Sequence, residues 1–228
     1  MIVASFFAPR PHHKNFEDYG PYLRLLEASC RRHGHLHIIL TDVPLPYPSK
    51  QFISTLPSDL MVAAVQAQLN FLDSPAAQHR DIVLVGADCV IAGNIEDALK
   101  GADAAFTSRC PPKGYAPINT GAIYVRGGSQ SAAIWRSALA RMEPGNTEWG
   151  DDQWALCKAL DPVPLSPRGD MEDRLGLKVR FLPMRHWNYS PEDVDDATPA
   201  AVLHFKGTRK KWMADYCRQH LHLSPVEG

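Results

Sequence analysis

The sequence predicts an α/β fold of three layers, a mixed and mostly parallel central sheet between helices, and two observations carry that expectation. The first third of the chain alternates apolar runs of strand length with amphipathic stretches of helical period, the pattern of βαβ units. One run, Asp81 to Val85 (DIVLV), is apolar without alternation, as in strands covered on both faces. At 228 residues, 45% hydrophobic and 21% charged, the chain can bury a sizeable core, and residues 1–228 read as a single domain.

Ile2 to Ala8 reads as a buried first strand. Tyr19 to Arg32 follows as a helix with Tyr22, Leu25, Leu26 and Ser29 on one face, ended by Gly34. Leu36 to Thr41 is a second strand, leading into a turn region with Pro44, Pro46 and Pro48. Ser58 is placed to cap a helix that presents Met61, Ala64, Val65, Gln68, Leu69 and Leu72 at spacings of three and four. After Asp81 to Val85 come shorter strands at Ala104 to Thr107, Gly121 to Val125, Val179 to Leu182 and Ala201 to Phe205. Helices are expected at Gln130 to Arg141, Asp152 to Leu160 and Lys210 to His220. Two proline- and charge-rich stretches, Asp161 to Gly176 and Pro191 to Pro199, read as mobile loops.

A net charge of −1 gives no global attraction to nucleic acid or anionic membranes. No apolar stretch reaches the length of a bilayer span, and the apolar start runs into Pro9-Arg10-Pro11 rather than a cleavage site. Five scattered cysteines, Cys30, Cys89, Cys110, Cys157 and Cys217, form no C-x-x-C pair and suit a reducing cytoplasm. His12, His13, His33, His35 and His37 invite a metal reading, against which stands the plainer one of surface histidines with local hydrogen bonds.

Four segments carry chemistry. Asp88 follows the buried strand at its carboxyl end, where open α/β sheets bind ligands and where a carboxylate can hold a divalent cation. Asn119-Thr120-Gly121 reads on its own as a turn. Asp151-Asp152-Gln153 precedes an apolar helix, as cap and first-turn charge would. His204 by itself would be a buried, hydrogen-bonded histidine. Arg209-Lys210-Lys211 opens a helix, where cations oppose the dipole and so favour an anionic ligand.

Together, in order and spacing, these segments resemble the GT-A glycosyltransferases, in particular the glycogenin-like and bacterial galactosyltransferase-like group, over roughly the whole chain. Gly86-Ala87-Asp88 resembles the D-x-D motif, Asn119-Thr120-Gly121 the N-[ST]-G motif and Asp152-Gln153 the D-Q segment. His204 to Trp212 resembles H-x-x-G-x-x-K-P-W. The resemblance implies a GT-A-like fold and a hexosyltransferase that uses a nucleotide-diphosphate sugar, a UDP-sugar by preference, with Mn²⁺ or Mg²⁺. It implies metal ligands at Asp88 and His204 and donor contacts at Ala8, Ala87, Asn119, Thr120, Gly121, Gly207 and Lys210. Asp151, Asp152 and Gln153 would lie beside the reacting sugar.

Gly86 departs from the pattern, leaving Asp88 as the only carboxylate of its motif, and Lys211 stands where the family has proline. A related binding protein without turnover is the alternative that this departure suggests. A sugar nucleotidyltransferase is disfavoured because the loop Ala8-Pro9-Arg10-Pro11-His12-His13-Lys14 lacks the glycines that cradle a triphosphate. The acceptor stays open between a glycan and a hydroxymethylated DNA base. For the latter, Arg31, Arg32, Arg209, Lys211 and Arg218 would supply phosphate contacts. Acceptor loops are expected at Pro111 to Pro117, Asp161 to Gly176 and Pro191 to Pro199.

Overall fold

The computed structural model describes residues 1–10, 18–109, 114–164 and 167–224. His12, His13, Lys14, Cys110 and residues 111–113 of the expected acceptor loop at 111–117 therefore lie outside the described residues. In chain order the elements are β1 (Ile2–Phe6), α1 (Gly20–Arg32), β2 (Leu36–Thr41), β3 (Lys50–Ile53), α2 (Leu60–Leu72), β4 (Asp81–Val85) and β5 (Cys89–Ile91). Then come β6 (Ala104–Ser108), β7 (Ile118–Arg126), α3 (Ser129–Leu139), α4 (Asp151–Ala159), β8 (Met171–Arg174), β9 (Leu177–Pro183), α5 (Met184–Trp187), β10 (Val202–His204) and α6 (Met213–Leu221).

Eight strands form the central sheet in the order β3-β2-β1-β4-β7-β6-β9-β8. β3, β2, β1 and β4 run parallel, β7 is antiparallel to both β4 and β6, β6 and β9 are parallel, and β8 closes the edge antiparallel to β9. The chain winds outward from β1 through β2 to β3, then returns to place β4 on the other side of β1. That reversal makes the carboxyl ends of β1 and β4 a topological switch point, where such sheets bind ligands.

Strand alternation sorts the core into two faces. Ile2 and Ala4 of β1 pack with Phe71 of α2, Trp135 of α3 and Leu156 of α4, while Val3 packs with Leu26 and Cys30 of α1. Beyond α1, a two-stranded sheet of β10 and β5 joins α6 in a third apolar cluster around Phe205 and Tyr216. Helices thus cover both faces, and the expected three-layer, mixed α/β fold is what the chain adopts. Among the described residues no helix is long and apolar enough to cross a membrane.

Several local expectations are corrected. Asp59, not Ser58, caps α2: its carboxylate accepts from the Met61 and Val62 amides at 3.1 and 3.2 Å, and from the Thr147 hydroxyl and the Gly145 amide. Asn119-Thr120-Gly121 is not a turn but the start of β7, paired to β6 at Ile118. The stretch 161–176 contains strand β8, paired to β9, and the stretch 191–199 is tied down by Asp196, which accepts from the Tyr189 hydroxyl and the Glu192 and Thr198 amides. The Lys210 to His220 helix is two pieces, a 3₁₀ turn over Gly207–Trp212 and then α6. Gly207 opens that turn at φ +63°, a left-handed conformation suited to glycine.

The histidine cluster dissolves into separate roles. His33 and His35 stack on one another at the end of α1, whereas His37 is buried inside the sheet. Its Nε2 shares a hydrogen bond with Ser5 Oγ at 2.9 Å, and its Nδ1 meets Glu27 Oε2 at 3.0 Å. Glu27 also accepts from Ser49 Oγ at 2.9 Å and from Arg31 Nε at 3.0 Å. These bonds, the one from His37 foremost, outweigh burial and draw the Glu27 carboxyl down to about 2.

Because the folded carboxyl titrates below its ordinary value, its stabilisation is complete above pH 4.5 and drains away as the pH falls toward 2. Glu27→Ala is expected to cost about 2–4 kcal/mol at neutral pH, because it leaves His37 and Ser49 buried without the carboxylate they share. It should also flatten the acid limb of stability between those pH values, both read from urea unfolding across pH.

Candidate active site

The candidate site gathers at the carboxyl edge of β4. The chain leaves β4 through Gly86 and Ala87 to Asp88 and re-enters structure as β5, whose partner β10 ends in His204. The register sets Cys89 opposite His204, and the Phe205 amide donates to the Asp88 carbonyl at 2.9 Å, so backbone bonds fix the two segments together. Side chains 116 positions apart then meet: His204 Nε2 stands 3.3 Å from Asp88 Oδ1.

Burial alone would push the Asp88 carboxyl up. The charge and hydrogen bond of His204 and the nearby charge of Lys210 overcome it and hold the group below its usual range. An ionised carboxylate beside an imidazole is a donor pair for a divalent cation.

The orientation of His204 comes from a residue the sequence reading missed. Asn188, fully buried after α5, presents Oδ1 to His204 Nδ1 at 3.2 Å. Its Nδ2 donates to Thr107 Oγ1 at 3.0 Å and to Asn119 Oδ1 at 2.9 Å. Both of those oxygens are acceptors in this network, so the Asn188 amide has one consistent orientation, with its carbonyl toward the imidazole. Nδ1 then carries a hydrogen toward Asn188 and Nε2 is turned toward Asp88, the nitrogen that a metal would take in exchange for its proton. No sequence motif marks Asn188; its role is created by packing between α5, β6 and β7.

Asn119 and Gly121 serve the same cluster from β7. Asn119 Oδ1 also accepts from the Gly121 amide at 2.8 Å. A β-carbon at Gly121 would lie 2.0 Å from His204 Nδ1 and 2.8 Å from Asn188 Oδ1, so only glycine admits the imidazole. Thr120, the residue between, hydrogen-bonds the Asp152 carboxylate at the head of α4. Burial is the largest influence on Asp152 and raises its pKa despite the Thr120 bond.

Gln153 is held by Arg109, whose Nη2 donates to its Oε1 at 2.8 Å. Asp151 faces elsewhere: its carboxylate accepts from the Glu148 amide at 2.7 Å and lines a groove with Arg141, Asn146 and Trp154.

On the opposite flank, Lys210 Nζ donates to the Tyr19 hydroxyl at 3.0 Å and stands 4.9 Å from the Tyr19 ring centre. Lys206 is a second cation the sequence reading passed over. Burial first, then the charges of Arg109 and Arg209, lower its pKa, while Asp88 acts on it in the other direction. Ala8 and Ala87 are buried small residues beside these elements, Ala87 packing with Phe7 and Tyr19.

No family profile matches the sequence, and no curated protein matches it. Solved structures do. A glycosyltransferase involved in glycosylation of the major capsid of PBCV-1 matches at a TM-score of 0.54 and 15% identity, over 93% of this chain and 97% of that one. The galactosyltransferase LgtC, in complex with donor and acceptor sugar analogues, matches at 0.58 and 12%, over 100% of this chain and 98% of that one. The bifunctional glycosyltransferase WbbM matches at 0.61 and 13%, over 98% of this chain and 50% of that one. At such identities the likeness establishes architecture: the chain has the GT-A-like fold of these structures.

Gly121→Ala is expected to displace His204 and weaken metal binding, measured by calorimetric titration with Mn²⁺. Overpacking should also cost about 1–3 kcal/mol of stability. Unchanged metal affinity in a folded variant would mean that the position of His204 is irrelevant to the site.

Proposed function

We propose that this chain is a glycosyltransferase that moves a sugar from a nucleotide-diphosphate donor to a hydroxyl acceptor, with Asp88 and His204 holding a divalent cation. The observation that carries this reading is the 3.3 Å apposition of Asp88 and His204 at the carboxyl edge of a sheet whose architecture glycosyltransferases share. A divalent cation there supplies Lewis-acid neutralisation of the charge that grows on the departing diphosphate.

The chain's own groups do the rest. Lys210 and Lys206 add positive charge on the diphosphate side, which matters most as the bond to the anomeric carbon breaks. Asp152 would face the sugar; its ionised form is supported by Thr120, and Gln153 beside it in sequence is fixed by Arg109. As the acceptor oxygen bonds to the anomeric carbon, the diphosphate oxygen leaves with the bonding electrons and the hydroxyl proton is given up to a base. Ala8, Ala87, Asn119, Gly121 and Gly207 shape the donor's bed, with a UDP-sugar as the donor to test first. Asp151 is the weakest of the candidates, because its carboxylate is committed to the Glu148 turn.

For the acceptor we favour a saccharide hydroxyl over a DNA base. Arg31 and Arg32 end α1, which returns to the start of β2 at the opposite end of the sheet from Asp88. Arg31 is paired to Glu27, and Arg218 to Asp215. Those cations are not arranged around one duplex contacting the candidate site. The aromatic rings of Tyr115, Trp149 and Trp154 are exposed before and within α4, and suit stacking on sugar rings.

Asp88→Asn is expected to lower turnover roughly 10²–10³-fold, about 3–4 kcal/mol, the scale of losing one major electrostatic element of a site. Lys210→Ala should weaken donor affinity and turnover together, and Lys211→Ala much less. Mass-spectrometric detection of transfer from a panel of nucleotide sugars to glycans and to hydroxymethylcytosine DNA checks both. Parent-like activity of Asp88→Asn, or full activity in excess chelator, would overturn the metal-assisted reading.

The pH profile tests Asp152 separately. Since its pKa is raised, the acid limb of turnover should lie above that of an ordinary aspartate and vanish in Asp152→Asn. Thr120→Val removes a bond to the ionised form and should move the limb further up.

A further inference from the structure

Gly86 supplies no side chain, and what surrounds the space it leaves is informative. A β-carbon built there would lie 2.7 Å from Asp88 Oδ1, 3.5 Å from Cys89 Sγ and 3.7 Å from His204 Nε2. Three potential ligand atoms therefore border one small volume, and all lie within 4.8 Å of one another. The Asp88–His204 separation of 3.3 Å is already that of neighbouring ligands on a tetrahedral ion with bonds of about 2.0 Å. Cys89 is held in place by strand pairing, opposite His204.

We infer that Cys89 is the third protein ligand of this centre, making it an oxygen–nitrogen–sulfur site that takes a zinc-class cation, Zn²⁺ or Co²⁺, in preference to Mg²⁺ or Ca²⁺. This rests on the reading of Asp88 and His204 as metal ligands given above and specifies the ion. Hard oxygen-seeking cations gain little from sulfur, whereas a cysteine, an imidazole and a carboxylate are all ordinary zinc ligands. Three protein ligands leave a fourth position for an oxygen of the donor diphosphate.

The local bonds allow the change. The Cys89 thiol donates to the Gly121 carbonyl at 3.3 Å. As the sulfur–metal bond forms, that hydrogen bond breaks and the thiol proton leaves to solvent. The Gly121 carbonyl keeps the Gly86 amide as a donor, also at 3.3 Å, so no buried acceptor is orphaned. The side chain missing at Gly86 and the sulfur present at Cys89 are thus complementary: one vacates the space, the other helps to fill it with a ligand.

Co²⁺ titration of the full-length reduced protein tests this without any turnover. The expected result is a sulfur-to-cobalt charge-transfer band in the near ultraviolet alongside the visible cobalt bands, bleached by Zn²⁺. Cys89→Ser should abolish the near-ultraviolet band while cobalt still binds through Asp88 and His204. Zn²⁺ affinity should fall by at least about tenfold, the lower end of what losing even an outer hydrogen-bonding partner costs. X-ray absorption of the zinc-loaded parent needs no variant and should show one sulfur neighbour at about 2.3 Å.

Cobalt bound with no sulfur band, or a zinc shell of oxygen and nitrogen only, would overturn Cys89 as a ligand and leave Asp88 and His204 standing. A band that survives Cys89→Ser would overturn it too, by assigning the sulfur to another cysteine. If neither Co²⁺, Zn²⁺ nor Mn²⁺ binds, this inference and the metal-assisted reading fall together.

Discussion

The close approach of β10 to β7 is the constraint on which the candidate site depends. His204 reaches Asp88 only by passing over residue 121, and the imidazole occupies the position a β-carbon there would need. The glycine is therefore a steric requirement of the histidine rather than a turn former. Around this contact the polar groups close on one another: Asn188 fixes the imidazole, Thr107 and Asn119 fix Asn188, and the Gly121 amide fixes Asn119. Such a network gains from being complete, since each member left unpaired in a low dielectric would be costly.

The same buried surroundings set the electrostatics. Burial disfavours both carboxylates, yet the outcomes differ because the partners differ. Asp88 has an imidazole and a lysine charge near it and stays ionised below the ordinary range. Asp152 has the neutral Thr120 hydroxyl as its side-chain donor, with Asp151 as a like charge nearby, and burial pushes it up. Two aspartates with oppositely shifted pKa values on the two sides of one strand are suited to different tasks, charge anchoring for one and proton-sensitive chemistry for the other.

How much of this was legible in the sequence follows from the range of each interaction. β1, β2 and β4, with their flanking helices, are written in local periodicity, and the sequence reading found all three strands. β3 and β5 are short, four and three residues, and owe their strand character to a neighbour rather than to a pattern of their own. Asp88 could be singled out by its place at the end of a buried strand, and His204 by the motif resemblance of its segment. Asn188 and Lys206 could not, because the burial and bonds that give them meaning arise between segments far apart in the chain. Asn119-Thr120-Gly121 shows the complementary failure: three residues with turn propensity lie in a strand because β6 pairs with Ile118 before them and Ile123 after them, and His204 packs on Gly121.

Read alone, Gly86, a glycine where the resembled D-x-D motif has an aspartate, weakens any claim of metal binding. Within the fold, however, a β-carbon at 86 would press on Asp88 Oδ1 at 2.7 Å, so the carboxylate that remains would have to shift. Glycine there leaves Asp88 free to lie against His204. Adding a second carboxylate at 86 would bring another anion into a buried space beside Asp88, where the two negative charges would each raise the other's pKa unless a cation is bound. The site with one carboxylate, one imidazole and one sulfur instead accumulates a single negative charge before the thiol ionises. Such a site is easier to bury without an ion, and under the proposed ligation by Cys89 metal uptake would release the thiol proton.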